Sequence, residues 1–432
     1  MSDNRALRSL GLAVALLLTC AGSAEPTRAA DTAGGQPGLW RKSSRDRPEP
    51  ERSPELQRQI ERLEAIGYLD GTEAARDQPR IALHDRASIQ PGPNLLISGH
   101  AAAATLMDME GKILHRWSYA FQDVWPDREI PARQAYWRRA HLFENGDLLA
   151  IFEARGIIKL DARSNLLWAN PVSAHHDLEV LSDGRILVLT RRPRLVPEVH
   201  PERAVLEDFI TILGADGQQI REVSILKAIL DSPFREEFEA SAGRKSGDLL
   251  HTNSLFVLDG RGSKRASWLA AGNILISMRE PSLLAVVDLA AGALVEMWSG
   301  DFRFQHDPKI LENGNLLLFD NSGLGRFSRV TETDPITREL RWSYQGTPSQ
   351  PFYSQYIGAA QRLPNGNTLI TESGEGRAFE VRPDKKLAWE YNSPHRAGKN
   401  DEFVASLLEV IRLPADFPTT WATPDAPSHP GR

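Results

Sequence analysis

Two alternating patterns of apolar and polar positions run along most of the chain. The first is an apolar strand, a tight turn centred on Asn-Gly or Asp-Gly, and a second apolar strand. It occurs at residues 141–152, 178–189, 309–319 and 361–371, and in shortened form at 270–278. Asn-Gly and Asp-Gly favour turns whose central residues take positive φ, so each copy predicts a β-hairpin. The second pattern follows each first one: an apolar strand, a polar turn, and a strand that commonly ends in tryptophan. It covers 156–170, 283–299, 329–344 and 379–391, with a tryptophan-free version at 209–223. An earlier copy, 104–119, follows the lone strand 94–98. Two hairpins per period make a four-stranded blade. Trp117, Trp168, Trp298, Trp342 and Trp389 recur about 45–55 residues apart where no long insertion intervenes, the spacing of propeller blades. Counting the second pattern predicts an all-β fold, a six-bladed β-propeller over residues 93–432. The tryptophans are expected as packing between blades.

Three stretches fit less well. Residues 192–208 and 224–250 interrupt the rhythm and are expected as loops or short helices at a mouth of the channel. Residues 401–413 suit a helix and a closing strand equally, because Leu and Val serve both.

The chain opens differently. Residues 1–24 carry Arg5 and Arg8, an apolar run from Leu10 to Ala21, and small residues at Gly22-Ser23-Ala24. That order reads as a signal peptide for export to the periplasm or secretion, and the run is short for a membrane span. Residues 25–92 are expected as a flexible tether with one short amphipathic helix at 54–67, where Leu56, Ile60, Leu63 and Ile66 share a face. Cys20 is the only cysteine and lies within the signal. Its setting, Leu17-Leu18-Thr19-Cys20, leaves lipidation as an open alternative. Once the signal is removed, the mature chain has no thiol for a disulfide, a thiolate metal site or a cysteine nucleophile.

Composition adds one exclusion. The formal net charge is −6, so no basic excess exists to hold a phosphate backbone and nucleic acid is not an expected partner.

The repeat also serves as a ruler for chemistry. The first strand of each blade lines the channel, and the residues at its start converge near one mouth. His176 lies eight positions before its turn glycine, Gly184, and His306 eight before Gly314. Each is followed by aspartate, Asp177 and Asp307, which either caps the strand or orients a neighbouring blade's histidine. The fourth blade enters with His251-Thr252-Asn253-Ser254, and alternation puts His251 and Asn253 on one face. Its returning strand ends at Arg279. A single histidine on a strand commonly satisfies itself locally, and Arg279 has an ordinary ion-pair reading. Three histidines at matching stations are better explained by a shared site. They would suit zinc or copper, with Asp177 or Asp307 as base. An arginine and an asparagine in the same cluster suit an anion instead. There is no HExxH, Gly-x-Ser-x-Gly or phosphate loop.

The ordered set His-His-Asp-Leu-Glu-Val-Leu (175–181), His-Thr-Asn-Ser (251–254), Ser-Met-Arg (277–279), Gln-His-Asp (305–307) and Leu-Phe-Asp-Asn (318–321) resembles the bacterial arylsulfotransferase family. Ser328-Arg329 and Leu-Pro-Asn-Gly-Asn-Thr-Leu-Ile (363–370) extend the likeness over about residues 93–392. The resemblance implies a periplasmic six-bladed propeller. Such an enzyme moves a sulfuryl group from an aryl sulfate donor to a phenol acceptor, with no nucleotide sulfate donor, cofactor or metal. It implies a ping-pong mechanism through a sulfohistidine. Matched motif by motif, His306 is the sulfated histidine. His251, Asn253 and Arg279 hold the sulfate oxygens, and His176 acts as acid or base at the phenol oxygen. An apparent insertion, Asp259 to Ala271, loosens the register of Arg279. Two rivals stay open: a non-catalytic propeller that binds anionic or phenolic ligands or a protein partner, and a metal-dependent propeller enzyme. The substrates themselves and any homo-oligomer are left undetermined by sequence.

Overall fold

The computed structural model describes residues 40–42, 79–130, 134–243, 247–321, 327–397, 401 and 403–423. Six antiparallel sheets form the blades. Blades two to five are runs of four consecutive strands that begin at Trp137–Leu142, Ala174–Val180, Thr252–Val257 and His306–Ile310. Blade six begins at Ala359–Arg362. Blade one takes its inner strand, Leu407–Arg412, from the far end of the chain and pairs it with Asn94–Ser98. The six inner strands touch one another in a closed ring. This is the six-bladed, all-β propeller that the repeat predicts. The undecided 401–413 segment supplies its closing strand.

The physical reason for the long apolar runs lies in the seams. Successive side chains of a strand point to opposite faces, and both faces of every blade are covered by a neighbour. In blade two, Leu148, Ala150 and Phe152 enter the cluster shared with blade one, while Leu149 and Ile151 enter the one shared with blade three. In blade five, Leu316 and Leu318 face blade four, and Leu317 and Phe319 face blade six. The tryptophans sit on the fourth strand of their blades. The indole N–H of Trp117 donates to the Gly146 carbonyl, Trp168 to Ala215, Trp342 to Pro383 and Trp389 to Met109, each on the next blade.

The expected interruptions resolve in two ways. Part of 192–208 is strand, because the second and third strands of blade three extend to Ile186–Arg194 and Val205–Leu213. The 224–250 segment carries helices Ile225–Leu230 and Arg235–Ala242, then a two-residue strand, Gly247–Asp248, laid parallel on that extension.

The N-terminal reading is altered where it can be compared. The signal peptide and the 54–67 helix lie outside the described residues. Within the stretch expected as tether, Trp40–Lys42 pairs with Phe403–Ala405, and Ile81–His84 adds a fifth strand to blade six. Strands of three or four residues carry too little periodicity to be recognised from sequence.

Two expected outcomes follow from the packing. Trp389 is fully buried at the seam between blades six and one. Trp389→Phe should cost about 1 kcal/mol, since the Met109 carbonyl loses its donor. Trp389→Ala should cost about 3–5 kcal/mol. Urea unfolding checks both. The second outcome concerns His100 and His395, whose rings stack 3.4 Å apart where blade one meets blade six. Burial pushes His100 down to about 3 and His395 to about 4. The unfolded chain therefore binds protons that the folded chain refuses. Stability should be full above the ordinary histidine value of 6.5 and should fall steadily as the pH drops from there towards 4. The loss is on the order of 2 kcal/mol per histidine by about pH 5. Urea midpoints measured across that window should flatten in His100→Phe.

Candidate active site

The inner strands do not run smoothly into the channel. Their pairing registers slip between Trp137 and Arg139, Ala174 and Leu178, Thr252 and Ser254, His306 and Lys309, and Leu407 and Glu409. Such bulges re-aim side chains. Positive φ accompanies them at His176, His251 and Asp307, at +55°, +47° and +54°. A non-glycine residue is held there only by surrounding structure, at about 1–3 kcal/mol each.

The bulges leave a small cavity at the channel mouth. Its lining includes Arg138, Arg139, His176, Asn253, His306 and Gly358. His176, Asn253 and His306 are thus brought together as expected. His251 stands directly behind, its ring edge-on to His176 at 4.9 Å. Arg279 is placed differently. It does not line the cavity: its guanidinium lies over the Phe304 ring at 4.6 Å and the Tyr356 ring at 5.6 Å, and it pairs with Glu280. The insertion is not the cause, since strand Asn273–Met278 stays paired with Thr252–Val257 and the Arg279 N–H donates to the His251 carbonyl at 3.2 Å. Ion pairing and aromatic contact draw the side chain aside, although its charge still reaches His306.

Each histidine has a different Nδ1 partner. That of His306 lies 2.9 Å from the Phe304 carbonyl and 2.7 Å from Asn321 Oδ1. Asn321 is oriented by donating its amide hydrogens to the carbonyls of Ser354 and Ile357. Both neighbours of Nδ1 therefore accept, so Nδ1 carries the proton and Nε2 keeps its lone pair. The His251 Nδ1 is 2.6 Å from Asp248 Oδ2, and Asp248 also accepts the His251 backbone N–H. Burial opposes ionisation of Asp248, but the bond and charge of His251 hold it below the usual carboxylate range. The His176 Nδ1 lies 2.9 Å from the His175 Nδ1 and 3.3 Å from Glu153 Oε1.

Burial pushes His306 well below the usual imidazole range, outweighing the Asn321 hydrogen bond, and the charges of Arg279 and Arg138 act the same way. Burial and then Arg138 do the same to His176. Neither Asp177 nor Asp307 orients a histidine. Asp177 accepts the backbone N–H of Leu255 and pairs with Arg139, while Asp307 accepts that of Ala360 and pairs with Lys309. Glu153, His175 and His176 bring one ligand atom each within 4.8 Å of one another, a set able to hold a metal ion.

Sequence reasoning missed four residues here. Asp248 had no signal beyond its place in an interruption. Asn321 stood in a quoted motif without a role. Arg138 and Gly358 had a clear signal: they too lie eight positions before their turn glycines, Gly146 and Gly366. A Cβ on Gly358 would meet the Phe319 ring at 2.3 Å, so this station admits no side chain.

Among solved structures, a protein of unknown function from Bacteroides caccae is 13% identical with a TM-score of 0.45, over 70% of this chain and 94% of its own. Virginiamycin B lyase from Staphylococcus aureus is 12% identical with a TM-score of 0.41, over 76% and 94%. The propeller domain of Cps50 (Swd1) from Myceliophteria thermophila is 8% identical with a TM-score of 0.43, over 79% and 99%. Likenesses this distant bear on neither site nor substrate. No curated protein matches the sequence. The family model described as Arylsulfotransferase (ASST) matches residues 139–394, more than half of the chain and most of the propeller, and the chain belongs to that family.

Proposed function

We propose that the protein transfers a sulfuryl group from an aryl sulfate ester to a phenol in two steps, with His306 as nucleophile. The observation that carries this reading is the fixed tautomer of His306, whose Nε2 lone pair has no hydrogen-bond partner among the described residues. In the first step Nε2 bonds to sulfur and the sulfur–phenol oxygen bond breaks. The departing oxygen takes a proton from a histidine. In the second step the acceptor phenol returns a proton to that histidine, its oxygen bonds to sulfur, and the N–S bond breaks. By analogy with phosphoryl transfer, charge spreads over three equatorial oxygens, so alignment and electrostatic support dominate catalysis. Asn253 suits that support, since among the described residues only one of its two amide hydrogens is engaged, by the Gln305 carbonyl. The family resemblance points to His176 as proton carrier. His251 is the other candidate, because Asp248 Oδ2 at 2.6 Å fixes its ring more closely than Glu153 Oε1, at 3.3 Å, fixes that of His176. The export signal at residues 1–24 assigns this chemistry, in the same proposal, to the periplasm or the cell exterior.

A second reading rests on Glu153, His175 and His176 as ligands of a divalent ion. Stoichiometric metal in purified protein, with turnover lost on chelation, would select it.

Mixed with an aryl sulfate and no acceptor, the protein should release one equivalent of phenol in a burst and gain a sulfuryl mass on the peptide carrying His306. His306→Ala should abolish both; a burst that survives the substitution sinks the assignment. Burial keeps His306 neutral well below 6.5, so acidification to about pH 6 should not protonate the nucleophile. Asp248→Asn should slow the burst by about 10²–10⁴-fold for donors with a high-pKa phenol and much less for nitrophenyl donors, which need little protonation. An equal loss for both donor types would return the proton to His176.

A further inference from the structure

The cations around the cavity differ in one respect. Arg139 is paired with Asp177 and Glu409, Lys309 with Asp307, and Arg279 with Glu280. Arg191 lies 3.5 Å from Glu153 and 3.9 Å from Asp248. Arg138 lines the cavity beside His176 and His306 and is only 6% exposed. Among the described residues its guanidinium has neither a hydrogen bond nor an ion pair.

The local sequence accounts for its position. Trp137 is fully buried and anchored edge-on against Phe152, and the register slips between Trp137 and Arg139. The bulge leaves Arg138 unmatched across the hairpin and turns it into the cavity. A buried cation without a partner costs several kcal/mol, which a resident hydrogen-bond network or ion pair normally offsets. Here the offset is missing, and Arg138, whose guanidinium carries five N–H donors, lines a space that Asn253 and His306 also line. A fork of donors matches an oxyanion bidentately.

We infer that Arg138 is a binding residue for the anionic sulfuryl group, supplying from blade two the counter-charge that the ligand requires. The inference rests on the transfer reading for its substrate, and it adds a cation that lies one residue outside the segment matched by the family model. Arg138 and His306 then approach the same sulfuryl group from blades two and five, with Asn253 between them in chain order. Arg279, already committed to Glu280 and two aromatic rings, stands outside the cavity lining.

Benzenesulfonate is a suitable probe, because its carbon–sulfur bond cannot be transferred and its three oxygens mimic the sulfuryl group. Calorimetric binding to the purified full chain should weaken about tenfold to a hundredfold in Arg138→Met, and less in Arg138→Lys. Thermal melting supplies the control for folding. Without ligand, Arg138→Met should melt at or above the wild-type temperature, since an uncompensated buried charge is removed. Benzenesulfonate should raise the melting temperature of the wild type and not of the variant. Unchanged binding in Arg138→Met, or a variant that melts well below wild type yet is still stabilised by the probe, would overturn the inference and make Arg138 structural. Arg138-dependent binding in a wild-type protein that turns over no aryl sulfate would support the anion site and retire the transfer reading. Turnover that is indifferent to Arg138 would do the reverse.

Discussion

The inner strand of each blade is an edge strand, and its unpaired N–H groups face the channel. They need acceptors, and side chains of the preceding blade supply them. Glu153 of blade two accepts the backbone N–H of His176 in blade three. Asp177 and Glu179 of blade three accept those of Leu255 and Val257 in blade four. Ser254 of blade four accepts that of Asp307, and Asp307 accepts that of Ala360 in blade six. Gln361 and Thr371 of blade six accept those of Arg412 and Val410, the strand that closes blade one. The site is therefore assembled by a sequential obligation: blades two to six each fix the backbone of the next, and two of these bonds hold the positive-φ residues His176 and Asp307 in place.

That obligation explains the acidic lining of the channel without giving it a chemical role. Burial raises the Asp177 and Glu409 carboxyls, against the pull of Arg139. Burial also lifts Glu179 to about 7, although Val257 donates to it. Arg139 bridges Asp177 and Glu409 across blades two, three and one. A buried pair of this kind contributes little net stability but punishes loss of either member. It fixes which blade lies beside which.

The blade count, the hairpins and the tryptophan seams were legible in sequence because each repeats, and repetition averages out local ambiguity. The histidine stations were legible for the same reason. Counting from the turn glycines located His176 and His306 and, carried to blades two and six, also reaches Arg138 and Gly358. What stayed hidden depends on single events. The bulge between Thr252 and Ser254 breaks the alternation that put His251 and Asn253 on one face. Asp248 reaches His251 only because a short strand docks on the extended arm of blade three. The diversion of Arg279 towards Glu280 and Phe304 is a rotamer choice, which no periodicity encodes.

The three histidines show how one residue type is made to differ. His176 and His306 border one cavity and His251 packs against His176, so the distinction comes from what each Nδ1 meets. An amide oxygen and a carbonyl behind His306 fix its proton without supplying a charge, so the ring stays neutral and its lone pair is available. A carboxylate behind His251 supplies charge as well as direction, which favours a ring that alternates between protonation states. Behind His176 stand another imidazole, itself fully buried, and the Glu153 carboxylate at 3.3 Å, while burial and then the Arg138 charge penalise protonation. A ring in that setting can orient a ligand or share a proton with its neighbour, and the Glu153 carboxylate supports a positive charge that burial and Arg138 oppose. The division of labour is thus set by the groups behind the rings rather than by the stations, which the repeat makes nearly equivalent.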